Sequence, residues 1–484
     1  MDNARRSVSL LSTVSRVRGA QRNAPMAERS VRCAALHAPY GLLIIAACLL
    51  VVCGSGCATY ANRLASVRDA FYAGKLDTAR SRLDKEIKRR KSDADVLRLE
   101  HALVDLVDGR PKDAEQTLRV VRDQFDFLEQ KDIGESILST VTDDNRLAYA
   151  GEDYEKILIR CFLSLSNLMH HGGDASAYAL QVGEKQRQII DRGVDKDGSN
   201  PKLSYKRVAL GAYIHAAIQE ATHVNYDEAA RSIQLVANWE PQFDPASDDL
   251  KRVTEGQHSQ KGNGVVYVFG LVGRGPYKEE RIEEPTSAAL LIADRILTAT
   301  SKHSLPPTIA PIKVPVVVRS QNRIRSLGVS IDGQLRGQTE TITDIGQLAV
   351  DQYQAVFPRV MARAVVRRVV KKGAVYATKE IANIDHPAAA LAMDLAGVAW
   401  EATESADTRC WGLLPDQIQV LRLELPAGEH QLSLTPQSAR GAFGQAADHT
   451  ILVEDGRNTY VMACFPDDEL VGEVLVSSSE IRLD

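Results

Sequence analysis

The hydrophobic pattern of this 484-residue chain changes character along its length. Residues 41–53, GLLIIAACLLVVC, form one unbroken apolar run. A comfortable membrane-spanning helix needs about 20 such residues, and this run is shorter. It fits the apolar core of an export signal, with arginines before it and small residues after it. From about residue 60 to 240 the apolar positions recur with helical period among Ala, Leu, Arg, Asp and Glu. Beyond residue 264 the pattern shifts to short apolar stretches bounded by Gly, Asp and Pro, which predict strands.

Four phrases punctuate the helical region: Gly-Lys-Leu-Asp-Thr-Ala at 74–79, Gly-Arg-Pro-Lys-Asp-Ala at 109–114, Gly-Gly-Asp-Ala-Ser-Ala at 172–177, and Val-Asn-Tyr-Asp-Glu-Ala at 224–229. Each lies between two helical stretches. Glycine is suited to the left-handed residue that ends a helix, an acidic residue to the start of the next, and a small alanine to close helix approach. Ala79 and Ala114 are 35 residues apart. That is near the tetratricopeptide period, so an array of helical hairpins is expected, with a non-repetitive bundle as the alternative.

Residues 241–263 hold Pro241, Pro245 and polar turns without apolar periodicity, and read as a linker. Strands are expected at 264–272, 314–319 and 327–331, the last closed by a hairpin turn at Asp332-Gly333. Helices are expected at 288–298, at 347–372 with an interruption near Pro358, and at 388–401. The tail predicts strands at 418–425, 429–434, 450–454 and 459–465, a small antiparallel sandwich or meander. The fold class is therefore α+β. The expected organisation is a leader (1–56, with Met26 as an alternative start), a tetratricopeptide-like helical domain (57–240), the linker, a mixed α/β region (264–404) and a β-rich module (405–484).

Composition narrows the function classes. The chain has a formal charge of −4, and without residues 1–56 it is more acidic still. That leaves no electrostatic footprint for nucleic acid. Of seven cysteines only Cys161, Cys410 and Cys464 lie in the body, with no CxxC and no zinc spacing. Cys410 and Cys464 are either a disulfide or buried free thiols. Residues 270–275 contain GxxGxG but lack the Lys-Ser/Thr of a phosphate loop, and predict a structural bend. His170-His171 has no third ligand nearby in sequence, and Glu152-Asp153 reads as the start of a helix. No cofactor or metal is implied.

The sequence Gly54-Ser55-Gly56-Cys57 resembles a bacterial lipobox, although Gly54 stands where leucine is usual. Cys57 is then the lipidated residue, its thiolate accepting the diacylglyceryl group. Ala58 follows, with no Asp to retain the protein at an inner membrane, and the resemblance to Gram-negative lipoproteins implies an outer-membrane protein facing the periplasm. Phrases at 149–158, 270–278, the arginine-rich 359–372, 406–415 and 425–430 resemble a family of bacterial lipoproteins with tetratricopeptide-like N-terminal halves and no established activity. The resemblance implies export and architecture, and brings no catalytic residue.

The expected function is a membrane-tethered, non-enzymatic scaffold whose hairpins offer a concave surface to an envelope protein. An envelope hydrolase with a site between the halves and a carrier of an apolar ligand are the competing expectations. Trp411 and Arg409, and Arg363 and Arg367 on the basic helix, are the candidate partner surface. For Trp411 the other reading is a domain-interface anchor, and for the arginines a solvated outer face.

Overall fold

The glycine phrases turn the chain as their chemistry requires. Gly74, Gly109 and Gly172 adopt φ of +67°, +72° and +80°, and in the fourth turn His223 takes φ +59° instead. In a computed structural model describing residues 59–135, 148–194, 198–300, 305–306, 309–381 and 405–477, these turns join antiparallel helices. After a short α1 (Tyr60–Arg63) come the pairs α2 (Ala65–Tyr72) and α3 (Leu76–Arg89), then α4 (Ala94–Val107) and α5 (Pro111–Glu135). The pairs α6 (Asp153–Leu168) with α7 (Ala175–Asp191), and α8 (Leu210–Glu220) with α9 (Tyr226–Trp239), follow. Each helix packs on its neighbours in sequence.

The small residues behave as expected in three hairpins: Ala79, Ala114 and Ala229 are fully buried. The third is shifted. Ala177 is exposed, and Ala175 at the start of α7 makes the close approach instead. Side-chain caps do not open α3, α7 or α9. Acidic residues lie inside the first turn of α3 and α9 instead, where Asp77, Asp227 and Glu228 complement the helix dipole.

The first and second helices of each pair differ in burial. Every residue of α6 from Tyr154 to Leu168 is buried, whereas α3 buries only Leu76, Ala79 and Leu83. The reason is a further layer of structure. The first helices are covered on one side by the second helices and on the other by a sheet, in one continuous core holding Leu99, Leu103 and Phe162 together with Tyr267, Phe269 and Met462. The concave surface expected to receive a partner is thus filled by the chain's own second half.

That sheet has the order β12-β11-β1-β7-β6, built from β1 (Asn263–Val272), β6 (Glu340–Asp344), β7 (Gln417–Pro426), β11 (Asn458–Phe465) and β12 (Leu475–Val476). Its central strand reads GVVYVFGLV because both faces are dry. Val265, Tyr267, Phe269 and Leu271 face the helices, while Val266, Val268 and Val272 face a second sheet. The second sheet runs β10-β8-β4-β5, from β4 (Ile324–Ile331), β5 (Gln334–Gln338), β8 (Gly428–Ser438) and β10 (Ala447–Val453), with the short β9 (Gly441–Ala442) beside β8. Asp332 and Gly333, at φ +53° and +78°, make the expected hairpin turn.

A smaller core unites β3 (Ile312–Val318) with α11 (Ser287–Thr300) and α12 (Ile345–Ile381), and β2 (Tyr277–Glu283) pairs antiparallel with β3.

Several expectations are corrected. The stretch 241–263 contains a helix, α10 (Pro245–Thr254), started by Pro245 at its first position and buried through Ala246, Asp249 and Val253. α12 runs through Pro358 without interruption. The tail strands do not close a module of their own: β11 pairs parallel to β1, and β8 pairs with β4. Strands β2, β5 and β6 lacked an apolar pattern because they are largely exposed or rich in charge. Cys410 and Cys464 are separate buried free thiols. The expected helix at 388–401 lies outside the described residues. The chain divides into two units, Met1–Ser55 and Gly56–Asp484, and the described residues belong to the second.

Candidate functional site: a buried acidic seam

Directly before β7, residues 405–416 form an irregular stretch outside any strand or helix. Buried backbone donors must find acceptors. They find carboxylates of the helical layer. Trp411 N donates to Glu155 Oε1 at 2.7 Å, Gly412 N to Glu100 Oε1 at 2.7 Å, and Leu413 N to Glu100 Oε2 at 2.9 Å. The stretch is fastened at both ends: Ala406 N donates to Glu280 at 2.7 Å, and the Asp416 carboxylate accepts from Arg319 at 3.0 Å.

The GxxGxG segment admits this stretch. Gly273 takes φ +77°, and a Cβ on Gly275 would fall 2.3 Å from Leu414 O. Gly275 N instead donates to that oxygen at 2.8 Å. The structural-bend reading therefore holds, with close backbone approach as its reason.

The Glu155 carboxylate takes further donors from its own layer. Tyr149 Oη donates to Glu155 Oε2 at 2.6 Å, and Glu152 N reaches the same oxygen at 3.1 Å. The second contact belongs to the capping box that starts α6. Glu155 and Glu100 are 0% and 1% exposed. Burial pushes the Glu100 carboxyl up to about 8, against the opposing pull of its two backbone donors. Burial and the neighbouring charge of Glu152 push Glu155 up to about 7. Lys278 is buried beside Glu152; burial alone would lower it, but Glu152 and Asp407 hold it above the ordinary lysine range.

The candidate partner residues fall in different places. Trp411 is 0% exposed, with its ring 5.2 Å from that of Phe162. Arg409 is 3% exposed, paired with Asp407 at 2.7 Å and Asp93 at 3.5 Å, and stacked over Tyr149. Neither offers a surface to a partner, which corrects that reading. They anchor residues 405–416 to the helices because the irregular backbone must be buried to reach its acceptors. Arg363 is exposed and Arg367 half-buried on α12. Arg368 on the same helix donates to Pro311 O at 2.6 Å. Cys57 lies outside the described residues.

A second acidic residue meets the sheet farther along the array. Glu220, at the end of α8, accepts from Nε and Nη2 of Arg252 at 2.8 and 3.1 Å, from Arg422 of β7 at 3.0 Å and from Tyr267 of β1 at 3.3 Å. Elsewhere His170 contacts Glu115 at 2.6 Å, and buried His215 contacts Ser232 at 2.9 Å with Gln219 on its other nitrogen. No carboxylate orients His215, so this pair is not a nucleophile–base–acid relay. Among the described residues no group of three or more His, Cys, Asp or Glu is placed to hold a metal ion.

Sequence reasoning missed Glu100 and Glu155. Glu100 had a signal: it lies at the four-residue spacing between Val96 and Val104, on the apolar stripe of α4. Glu155 had another, three residues after the cap residue Glu152. Searches for similar proteins returned no matching family model, curated protein or solved structure.

Proposed function

We propose that this chain is a bacterial lipoprotein, exported by its apolar leader and held in the outer membrane through Cys57, with its body acting in the periplasm as a non-enzymatic scaffold. The observation that supports the reading is the order of the apolar run, small residues and Cys57, placed three residues before α1 begins at Tyr60. The resemblance to bacterial lipoproteins supports the same compartment. No helix among the described residues is long and apolar enough to cross a membrane.

For the scaffold, the free face is the outer layer formed by the second helices. Val120 and Phe127 of α5, Leu180 of α7 and Leu235 of α9 are exposed there, at 55%, 59%, 58% and 41%. Large apolar residues on successive helices of one layer suit a protein partner. The acidic seam does not suit catalysis, because its carboxylates are covered and their oxygens engaged.

Metabolic labelling with a fatty-acid analogue tests the anchor: the wild type is labelled and Cys57→Ala is not. Label persisting in Cys57→Ala overturns it. In-cell crosslinking from Phe127 and Leu180 positions tests the scaffold: one recurrent envelope protein supports it, and only random abundant proteins would refute it.

A further inference from the structure

The end of α3 concentrates positive charge in an acidic chain. Residues 82–91 hold Arg82, Lys85, Lys88, Arg89, Arg90 and Lys91 against only Asp84 and Glu86, while the whole chain carries −4. Arg82, Lys85, Lys88, Arg89 and Lys91 are exposed. Glu86 pairs with Arg89 at 3.7 Å and offsets one charge, while Asp84 lies 3.4 Å from His101, so the stretch keeps a net positive charge. Arg80, one turn earlier, is excluded, because Asp77, Asp105 and Asp108 consume it.

The cluster stands beside the point where the body begins. Asp93, in the turn that follows α3, pairs with Arg63 of α1 at 2.7 Å. The Arg82 guanidinium donates to Ser66 O at the start of α2. Tyr60 is buried and its hydroxyl donates to Glu100, so the entry point of the chain is fixed on the body. Two residues, Ala58 and Thr59, separate Cys57 from Tyr60. Fully extended, the three steps from Cys57 to Tyr60 span at most about 11 Å. A lipid on Cys57 therefore holds this end of the body close to the headgroups, where an exposed basic cluster is screened over only about 8 Å.

We propose that the basic end of α3 is a membrane-facing surface that rests on anionic phospholipid headgroups of the leaflet anchoring Cys57. The inference builds on the lipoprotein reading. Its physical content is separate: acyl chains tether, and the cluster orients the body, turning the layer with Phe127 and Leu180 into a defined position relative to the bilayer. Charge complementarity selects lipid over an apolar partner, because the patch is formed by lysine and arginine on an amphipathic helix whose apolar stripe, Leu76, Ala79 and Leu83, is already buried.

The test uses the full-length Cys57→Ala chain, so that acylation does not contribute. Flotation measures its binding to phosphatidylcholine vesicles and to vesicles that also contain phosphatidylglycerol, and the readout is the anionic-to-neutral ratio. Lys85→Gln, Lys88→Gln and Arg89→Gln together should lower that ratio roughly 100-fold, since each such residue contributes about fivefold near an anionic surface. High salt should erase the wild-type preference. Glutamine keeps helix propensity at these exposed sites, and circular dichroism verifies the fold. An unchanged ratio in the triple variant, or no anionic preference in the parent, overturns the proposal. So does capture of an acidic protein from Lys88 without vesicle preference. Fatty-acid labelling at Cys57 is read in parallel: its loss with vesicle preference intact removes the anchor and leaves the surface, and the reverse result removes the surface alone.

Discussion

Glu220 and the pair Glu100–Glu155 come from the same layer of helices and meet the same second half of the molecule, yet different chemistry satisfies them. Glu220 is neutralised by two arginines from α10 and β7 and a tyrosine from β1. Glu100 and Glu155 have no cation within hydrogen-bond distance among their partners and accept mainly backbone N–H and tyrosine donors. The difference follows from what each binds. Glu220 locks two regular strands whose backbones are already paired, so side chains supply its partners. The other two hold residues 405–416, which bring their own unpaired N–H groups and need acceptors more than charge. One seam is an ion-pair clasp, and the other is a backbone cradle that favours a bound proton.

Breaking the cradle should cost most. Trp411→Ala removes a fully buried indole from its packing on Phe162, with an expected cost of about 3–5 kcal/mol. Protease cleavage within 405–416 should accelerate in that variant before the helices unfold. On the clasp side, Glu220→Ala leaves the half-buried Arg252 and Arg422 without their shared carboxylate, although Arg252 keeps Asp249, and about 3 kcal/mol of stability should be lost. Urea unfolding measures it; a loss under about 1 kcal/mol would mean that solvent reaches the arginines.

The pH dependence sharpens the contrast. Glu100 and Glu155 have folded-state values of about 8 and about 7, above those of the unfolded chain. The folded protein therefore holds their protons more tightly. Their contribution to stability is complete below the ordinary glutamate range and is lost as pH rises through these values. Glu100→Gln should lower stability by about 1–3 kcal/mol at acidic pH, because its amide nitrogen cannot accept from the backbone. It should also flatten the decline in melting temperature between mildly acidic and alkaline buffer. Parallel declines in parent and variant would show that other groups set the slope. Glu129 does not enter this window: burial raises it, but Lys156 and Lys185 hold it down at about 2. The smallest effect is expected at Arg363→Ala, within about 0.5 kcal/mol by thermal melting, since this arginine is exposed.

Much of the local structure was legible. The helical turns at Gly74, Gly109 and Gly172 carried their own signal, because positive φ favours glycine. The fourth turn was legible through its neighbours even though His223 takes that conformation. β1, β4, β7, β8 and β11 were visible as apolar runs closed by turn residues, and the Asp332-Gly333 turn was read correctly. β2 was not legible: its sequence, YKEERIE, is charged because it is a partly exposed edge against β3. Nor was α10, whose few buried residues are spread among acids. Of the candidate site, the oddity of the Trp411 segment was visible, but its role was not, because its acceptors lie more than 250 residues away in sequence.

By itself the sequence determined the class of each half, the helical turns and most strands, since periodicity and turn chemistry act within a few residues. The apolar run at 41–53 and the small residues before Cys57 are likewise a pattern of neighbouring residues. Only the tertiary structure decided that the inner face of the hairpins is closed, that the tail strands interleave with earlier ones, and that Trp411 and Arg409 face inward. Those outcomes depend on which distant apolar faces and unpaired backbone groups meet, and burial of that kind is a property of the assembled layers, not of any one segment.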